Sequence, residues 1–258
     1  MTSERSHNYL PVALLFVGTM LLGAYWQPHN PHAVDLNNVL STPSLEHWLG
    51  TDHLGRDVAS RILAGARPSL SAIAIVIASS IGLGLAAGVA IGFGPPALSR
   101  PVRWLAQTAL ALPTLITALL LATLFGAGLL AISAALVAST WAPYALSMSA
   151  LLERLRGEPY WLASLALGSS VTGAVYRHML PNAWPAIGAL AGADAGRAII
   201  LVASMGFLGL SADTGRPEWG AMVHEYRIFL FSEPRLVLAP VLATAMAAFV
   251  LNRTLDRS

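Results

Sequence analysis

Four of the seven histidines in this 258-residue chain, His29, His32, His47 and His53, fall in one polar stretch together with Asp35. Imidazole and carboxylate are ligand types that suit nickel or zinc. Pro28 and Pro31, however, keep the His29-x-x-His32 pair in extended chain, so the spacing does not force the rings together. The expectation is therefore of solvated or cap-forming histidines, with no metal held by this chain. In the same stretch Asp52, Arg56, Asp57 and Arg61 can neutralise one another near a membrane surface. Farther along, Asp194 and Arg197 stand three apart on one helical face of an otherwise apolar run, where an unpaired ion is costly. They read either as a self-neutralising structural pair or as a pair lining a pathway.

No catalytic constellation accompanies these groups. The chain has no cysteine, so thiolate catalysis, disulfides and thiolate metal sites are excluded. No Ser-His pair, paired aspartates or His-Glu motif lies in an apolar run, as a membrane enzyme would require. All fifteen basic residues are arginines scattered between apolar runs, not gathered on a face as phosphate binding would want, so nucleic acid is set aside.

The elements that must position these groups are membrane spans. Hydrophobic residues make up 55% of the chain and charged ones only 11%, with mean hydropathy +0.63, against roughly a quarter charged in a soluble domain. Six runs approach the roughly 20 apolar residues that a spanning helix needs: 9–26, 70–93, 104–125, 129–152, 183–210 and 236–251. Tyr25-Trp26-Gln27-Pro28 is no small-residue cleavage site, so the first run reads as retained. Arg5, Arg100, Arg103, Arg154, Arg156, Arg177, Arg253 and Arg257 fall on one side, against Arg56, Arg61, Arg67, Arg216, Arg227 and Arg235 on the other. That bias places both termini in the cytoplasm. Two longer pieces lie between spans, an external one over 27–67 and a cytoplasmic one over 153–182. In the second, Pro159 and Gly168 bracket a short helix, and a turn and a second short helix follow. Trp161, Leu162, Leu165 and Ala166 make this elbow too apolar for a solvated loop, which suggests that it docks.

Three segments resemble a known family. Ala163-Ser164-x-x-x-Gly168, with Met179-Leu180-Pro181 following, is similar to the cytoplasmic loop of permease subunits of binding-protein-dependent ABC importers. Leu162-Ala163-Ser164 replaces the usual Glu-Ala-Ala start. Gly50-Thr51-Asp52-His53-Leu54-Gly55-Arg56-Asp57, continuing to Arg61 and Pro68-Ser69-Leu70, resembles the segment before the second span of the dipeptide, oligopeptide and nickel permeases. Gly206-Phe207-Leu208-Gly209-Leu210 and Pro217-Glu218-Trp219-Gly220-Ala221-Met222 resemble the end of the fifth span and the loop after it.

The resemblance implies an all-α polytopic protein of about six transmembrane helices, of the type I ABC importer permease class and the second, C-type member of a permease pair. Residues 1–67 would form an N-terminal helix and external segment, and 68–258 the permease core. A coupling helix within 153–182 would seat in an ATPase subunit through Tyr160, Leu162, Ala163, Ser164, Gly168, Met179, Leu180 and Pro181. Gly50, Thr51, Asp52, Gly55, Arg56, Asp57 and Arg61 would form the external motif, as a charge-paired cap. The partners implied are a second homologous permease, two ATPases, an extracytoplasmic binding protein and the lipid of a bacterial inner membrane. The chain itself would be no enzyme and would bind no cofactor, with ATP and magnesium held by the ATPases. Gly82, Gly84, Gly88 and Gly92 would allow close helix packing. Peptides come first as cargo and nickel, free or chelated, second. A secondary transporter or channel without an ATPase is the alternative, which would more naturally show inverted halves.

Overall fold

The computed structural model describes residues 18–20, 22–23, 25–211 and 216–255. The first expected span therefore falls mostly outside the described residues. Residues 18–20 and 22–23 are helical, the backbone from Tyr25 to Asp57 is irregular, and α1 then runs over Val58–Phe93. Helices α2 (Pro96–Ala111), α3 (Thr114–Phe125), α4 (Leu129–Thr140) and α5 (Ala142–Leu155) follow, and α6 (Pro159–Ala166) forms the first arm of the elbow. A short helical run, Val171–Ala174, and a π-helical turn, Val175–Met179, lead without a break into α7 (Leu180–Phe207). Helix α8 (Trp219–Tyr226) and the long α9 (Pro234–Leu255) complete the order. Among the described residues four helical stretches are long and apolar enough to cross a membrane, and a fifth crossing results if α2 and α3 count as one.

The sequence led us to expect one span over 104–125. The chain instead bends by 108° between α2 and α3. Pro113 has no N–H for the carbonyl of Ala109, and it holds Leu112 in extended conformation, with φ −89° and ψ 139°. Helix α1 begins well before residue 70 because the Asp57 carboxylate caps it, accepting from the Ser60 N–H at 2.7 Å. The second arm of the elbow is not a separate helix, since it runs straight into α7. That span starts earlier than expected and ends at Phe207, where Gly209 turns the chain with φ +83°.

Helix α1 is the centre of the bundle, packed on α4, α5 and α7. A Cβ on Gly88 would lie 2.5 Å from Met148 Cβ and 2.8 Å from the Ala145 carbonyl oxygen, and Gly84 is as tightly packed against Trp141 and Tyr144. Gly92 lies on the same stripe, one turn farther, against Leu152. Gly82, expected to share this role, meets nothing within 4 Å and faces away. One apolar cluster, including Val58, Ile62, Trp219, Met222 and Tyr226, joins α1 to α8. A second, including Met148, Leu152, Trp161, Val175 and Met179, joins α5 to the elbow. Leu120, Leu124, Leu130 and Leu242 stay exposed on the outside of the bundle, as lipid contact requires.

Candidate functional site: a buried charge cluster, an apolar elbow and a polar pair

Residues Gly50, Thr51, Asp52, Gly55, Arg56, Asp57 and Arg61 are all buried. Gly50 and Gly55 both take φ +73°, and a Cβ on Gly55 would run into the Asp35 carbonyl. These turns fold the segment back on itself: the Asp52 N–H donates to the Arg56 carbonyl at 2.9 Å, and the Leu40 N–H to the Asp52 carbonyl at 3.0 Å. The side chains then converge. Asp52 accepts from Arg56 Nε at 2.7 Å, from the backbone N–H groups of Leu54 and Arg56, and from the Tyr226 hydroxyl at 3.0 Å. Arg61 donates from Nε to the Tyr226 hydroxyl at 2.9 Å and from Nη2 to Glu225 at 2.9 Å, and Arg56 donates to the other oxygen of Glu225. Two guanidinium groups thus face two carboxylates, so the cluster is neutral and its polar atoms are largely satisfied.

The local fields follow from this arrangement. Burial alone pushes the Asp52 carboxyl up, but the Arg56 guanidinium, the two backbone donors and Arg61 outweigh it and hold the group below its ordinary value. Burial likewise works against the charge on Arg56, and the hydrogen bond to Glu225 with the Asp52 charge more than restores it. Burial is the main reason the Tyr226 hydroxyl titrates far above a free tyrosine. Nearby, Glu218 caps α8 by accepting from the N–H groups of Gly220 and Ala221, both at 2.8 Å, and its burial keeps its carboxyl above the usual range. Trp219 is wholly buried and donates from its indole N–H to the Ile62 carbonyl at 2.9 Å, locking α8 to α1. Arg235 reaches back to the carbonyls of Leu49 at 2.8 Å and Leu40 at 3.1 Å.

Glu225, Tyr226 and Arg235 were not singled out from the sequence. They pair with residues more than 160 positions away, and no local pattern carries that information. Of the histidines, His29 and His47 gather at Asp57, whereas His53 lies beside Asp52 and Glu225. His32 and Asp35 join neither group.

The elbow is anchored on one side and open on the other. Trp161 is buried with its ring 5.4 Å from that of Phe93, at the end of α1. Leu162 is 59% exposed and Leu167 87% exposed, and Ala163 and Pro181 are exposed with them. Between the two arms Gly168 takes φ +86°. Tyr160 and Leu180 are half-buried, while Ser164 and Met179 point inward and support the arms from beneath.

In α7 the Asp194 carboxylate accepts from Arg197 Nη2 at 2.9 Å and also faces the Tyr144 hydroxyl. With Ser80 and Thr140, whose hydroxyls share a 2.7 Å hydrogen bond, they border a cavity of about 20 Å³, room for one water. Asp194 is mostly covered and Arg197 is 55% exposed at the side of the bundle.

Comparisons with known proteins bear on these features. Residues 80–258 match the family described as binding-protein-dependent transport system inner membrane component. The nickel transport system permease protein NikC of Escherichia coli is 31% identical over 245 residues, covering 93% of this chain and 88% of that protein. The probable D,D-dipeptide transport system permease protein DdpC of Escherichia coli is 31% identical over 226 residues, 86% of this chain and 74% of its own length. The glutathione transport system permease protein GsiD of Pectobacterium atrosepticum is 28% identical over 243 residues, 92% of this chain and 81% of its own length. Similar over nearly its whole length to these permeases, and matched by the family over more than half, the chain belongs to the inner-membrane permease components of binding-protein-dependent ABC importers of the peptide and nickel type.

Proposed function

We propose that this chain forms half of a translocation pathway with a second, related permease. In this reading it receives cargo from an extracytoplasmic binding protein and is driven by two cytoplasmic ATPases that hold the ATP and magnesium. The chain itself catalyses nothing, and both of its termini lie in the cytoplasm. The observation that supports this best is the elbow, whose exposed Leu162 and Leu167 lead into a left-handed turn at Gly168 while Trp161 pins its base to the bundle. An apolar surface held so rigidly serves as a docking knob, and a knob seated in a moving cleft must move with it. Its displacement passes by two routes, through Trp161 to the ends of α1 and α5, and through the continuous helix from Val171 to Phe207 to the Asp194–Arg197 pair.

As cargo we propose short peptides. Two of the relatives named above are permeases of peptide transport systems, for D,D-dipeptides and glutathione. The nickel permease, similar over 93% of the chain, supports nickel or a nickel chelate as the second reading. Affinity purification of the tagged full chain from mild detergent tests the assembly. Recovery of a second permease, ATPases and a binding protein supports it, and a stable chain recovered alone overturns it. In the reconstituted assembly Gly168→Val should leave ATP hydrolysis running while transport falls at least roughly tenfold, because valine resists a left-handed backbone. Unchanged transport would refute the coupling role.

A further inference from the structure

The cap holds a second group of polar side chains, beside the neutral cluster and unused by it. His47 Nδ1 lies 2.9 Å from Asp57 Oδ1, and His29 Nδ1 lies 4.0 Å from Asp57 Oδ2. One potential ligand atom from each of the three residues, a ring nitrogen or a carboxylate oxygen, falls within 4.8 Å of the other two. The two imidazole rings stand 4.8 Å apart, tilted by 40°. His29 Nδ1 is buried and has no hydrogen-bond partner, an expensive condition for a ring nitrogen.

The backbone prepares this arrangement. The His29 N–H donates to Ser60 Oγ at 3.0 Å, and the Ser60 N–H donates to Asp57 Oδ2 at 2.7 Å. The first turn of α1 therefore holds both His29 and Asp57 in place. The 4.0 Å separation is too long for a hydrogen bond. It is within the span of two ligands that each stand about 2.1 Å from one ion, and the 2.9 Å separation fits two adjacent ligands on the same ion. The neighbouring group of Asp52, His53 and Glu225 differs, because its carboxylates already accept from Arg56, Arg61 and Tyr226.

We propose that His29, His47 and Asp57 form a site for one divalent transition-metal ion of borderline softness, zinc or nickel, with water completing its coordination. Neutral imidazole nitrogens and one carboxylate are the donor set such ions prefer. On binding, the ion takes the place of the hydrogen bond between His47 Nδ1 and Asp57, with His47 in the tautomer that carries its proton on Nε2, and gives His29 Nδ1 the partner it lacks. The ion then staples the beginning and the middle of the cap to the first turn of α1. This site is independent of the cargo and of the importer assembly.

The test uses the full chain in nanodiscs after treatment with a chelator. Zinc titrated by calorimetry should bind at one ion per chain, and cobalt used as a coloured probe should develop its visible ligand-field bands. His29→Ala and His47→Ala should each weaken zinc binding by roughly tenfold or more. His32→Ala, outside the group, should bind as the parent chain does. Zinc should also raise the melting temperature of the parent chain but not that of His29→Ala, as linkage requires of a ligand bound to the folded form. Failure of the parent chain to bind zinc, or undiminished binding by both single variants, would overturn the proposal.

Discussion

Replacing Glu225 by glutamine leaves the shape of the cap intact and changes its charge. In the parent cluster Asp52 and Glu225 balance Arg56 and Arg61, so the sum is zero; Glu225→Gln makes it +1. Arg61 is fully buried and Arg56 nearly so, so the excess charge reaches little water. Removing one partner of a buried pair typically costs 3–5 kcal/mol. Glu225 keeps 14% exposure, so the lower end, about 3 kcal/mol, is expected here. Restoring neutrality with a second change, Arg61→Met, leaves Asp52 paired with Arg56. The double variant should then be more stable than the sum of the two single losses by about 1–3 kcal/mol. Denaturant unfolding of the purified chain in a fixed detergent, followed by tryptophan fluorescence, gives the four free energies of the cycle. Additive losses, or a Glu225→Gln loss under about 0.5 kcal/mol, would show that the cluster is not held by charge balance.

Three further outcomes are expected. Gly88→Ala puts a methyl group against a backbone oxygen that cannot yield, and should lower the melting temperature by the equivalent of about 1–3 kcal/mol, whereas Gly82→Ala, in open space, should not. The Asp52 carboxyl titrates lower in the folded chain than its ordinary 3.8, so its contribution is present above that value and disappears as pH falls through the folded one. Glu218, raised by burial, acts in the opposite sense, so Asp52→Asn should flatten the acid arm of a melting-temperature profile and Glu218→Gln should not. Neutralising Asp194 or Arg197 alone should impair transport or assembly more than neutralising both, since the single changes leave an unmatched charge within a span; equal or additive losses, read by transport assay, would separate their roles.

The sequence pattern was most informative where the physics is local. Among the described residues the apolar runs over 70–93, 129–152 and 236–251, and that over 183–210 as far as Phe207, lie in helical stretches long enough to cross a bilayer. Pro159 and Gly168 mark the limits of the elbow's first arm because proline fixes its own φ and glycine readily takes the left-handed φ of +86°. Charge alternation over Asp52–Arg61 suggested mutual neutralisation of Asp52, Arg56, Asp57 and Arg61; Asp52 does meet both arginines, but Asp57 instead caps α1 and faces His29 and His47, and the second carboxylate is Glu225. Glu225 and Tyr226 come from α8, and their partnership with Arg61 depends on how α8 is laid across α1 by Trp219. The bend at Leu112 and Pro113 had a local signal in Pro113, which high flanking hydropathy masked. Among the glycines of α1, periodicity separates Gly84, Gly88 and Gly92 from Gly82, since only the first three share a face at intervals of four.

The bend between α2 and α3 also bears on the surroundings of the molecule. Helix α3 has twelve residues, a length of about 18 Å, short of the roughly 30 Å of hydrocarbon in a bilayer. Counted inward from the turn at Gly126, its other end falls within the slab. There the chain is non-helical, Leu112 is half-exposed, and the Ala109 carbonyl has lost the donor that Pro113 cannot supply. Acyl chains offer no hydrogen bonds, so bare backbone at that depth is tolerated only against protein or water. The side of the chain bearing Leu112 and Pro113 is therefore expected to lie against protein or an aqueous path, with acyl chains on the other sides.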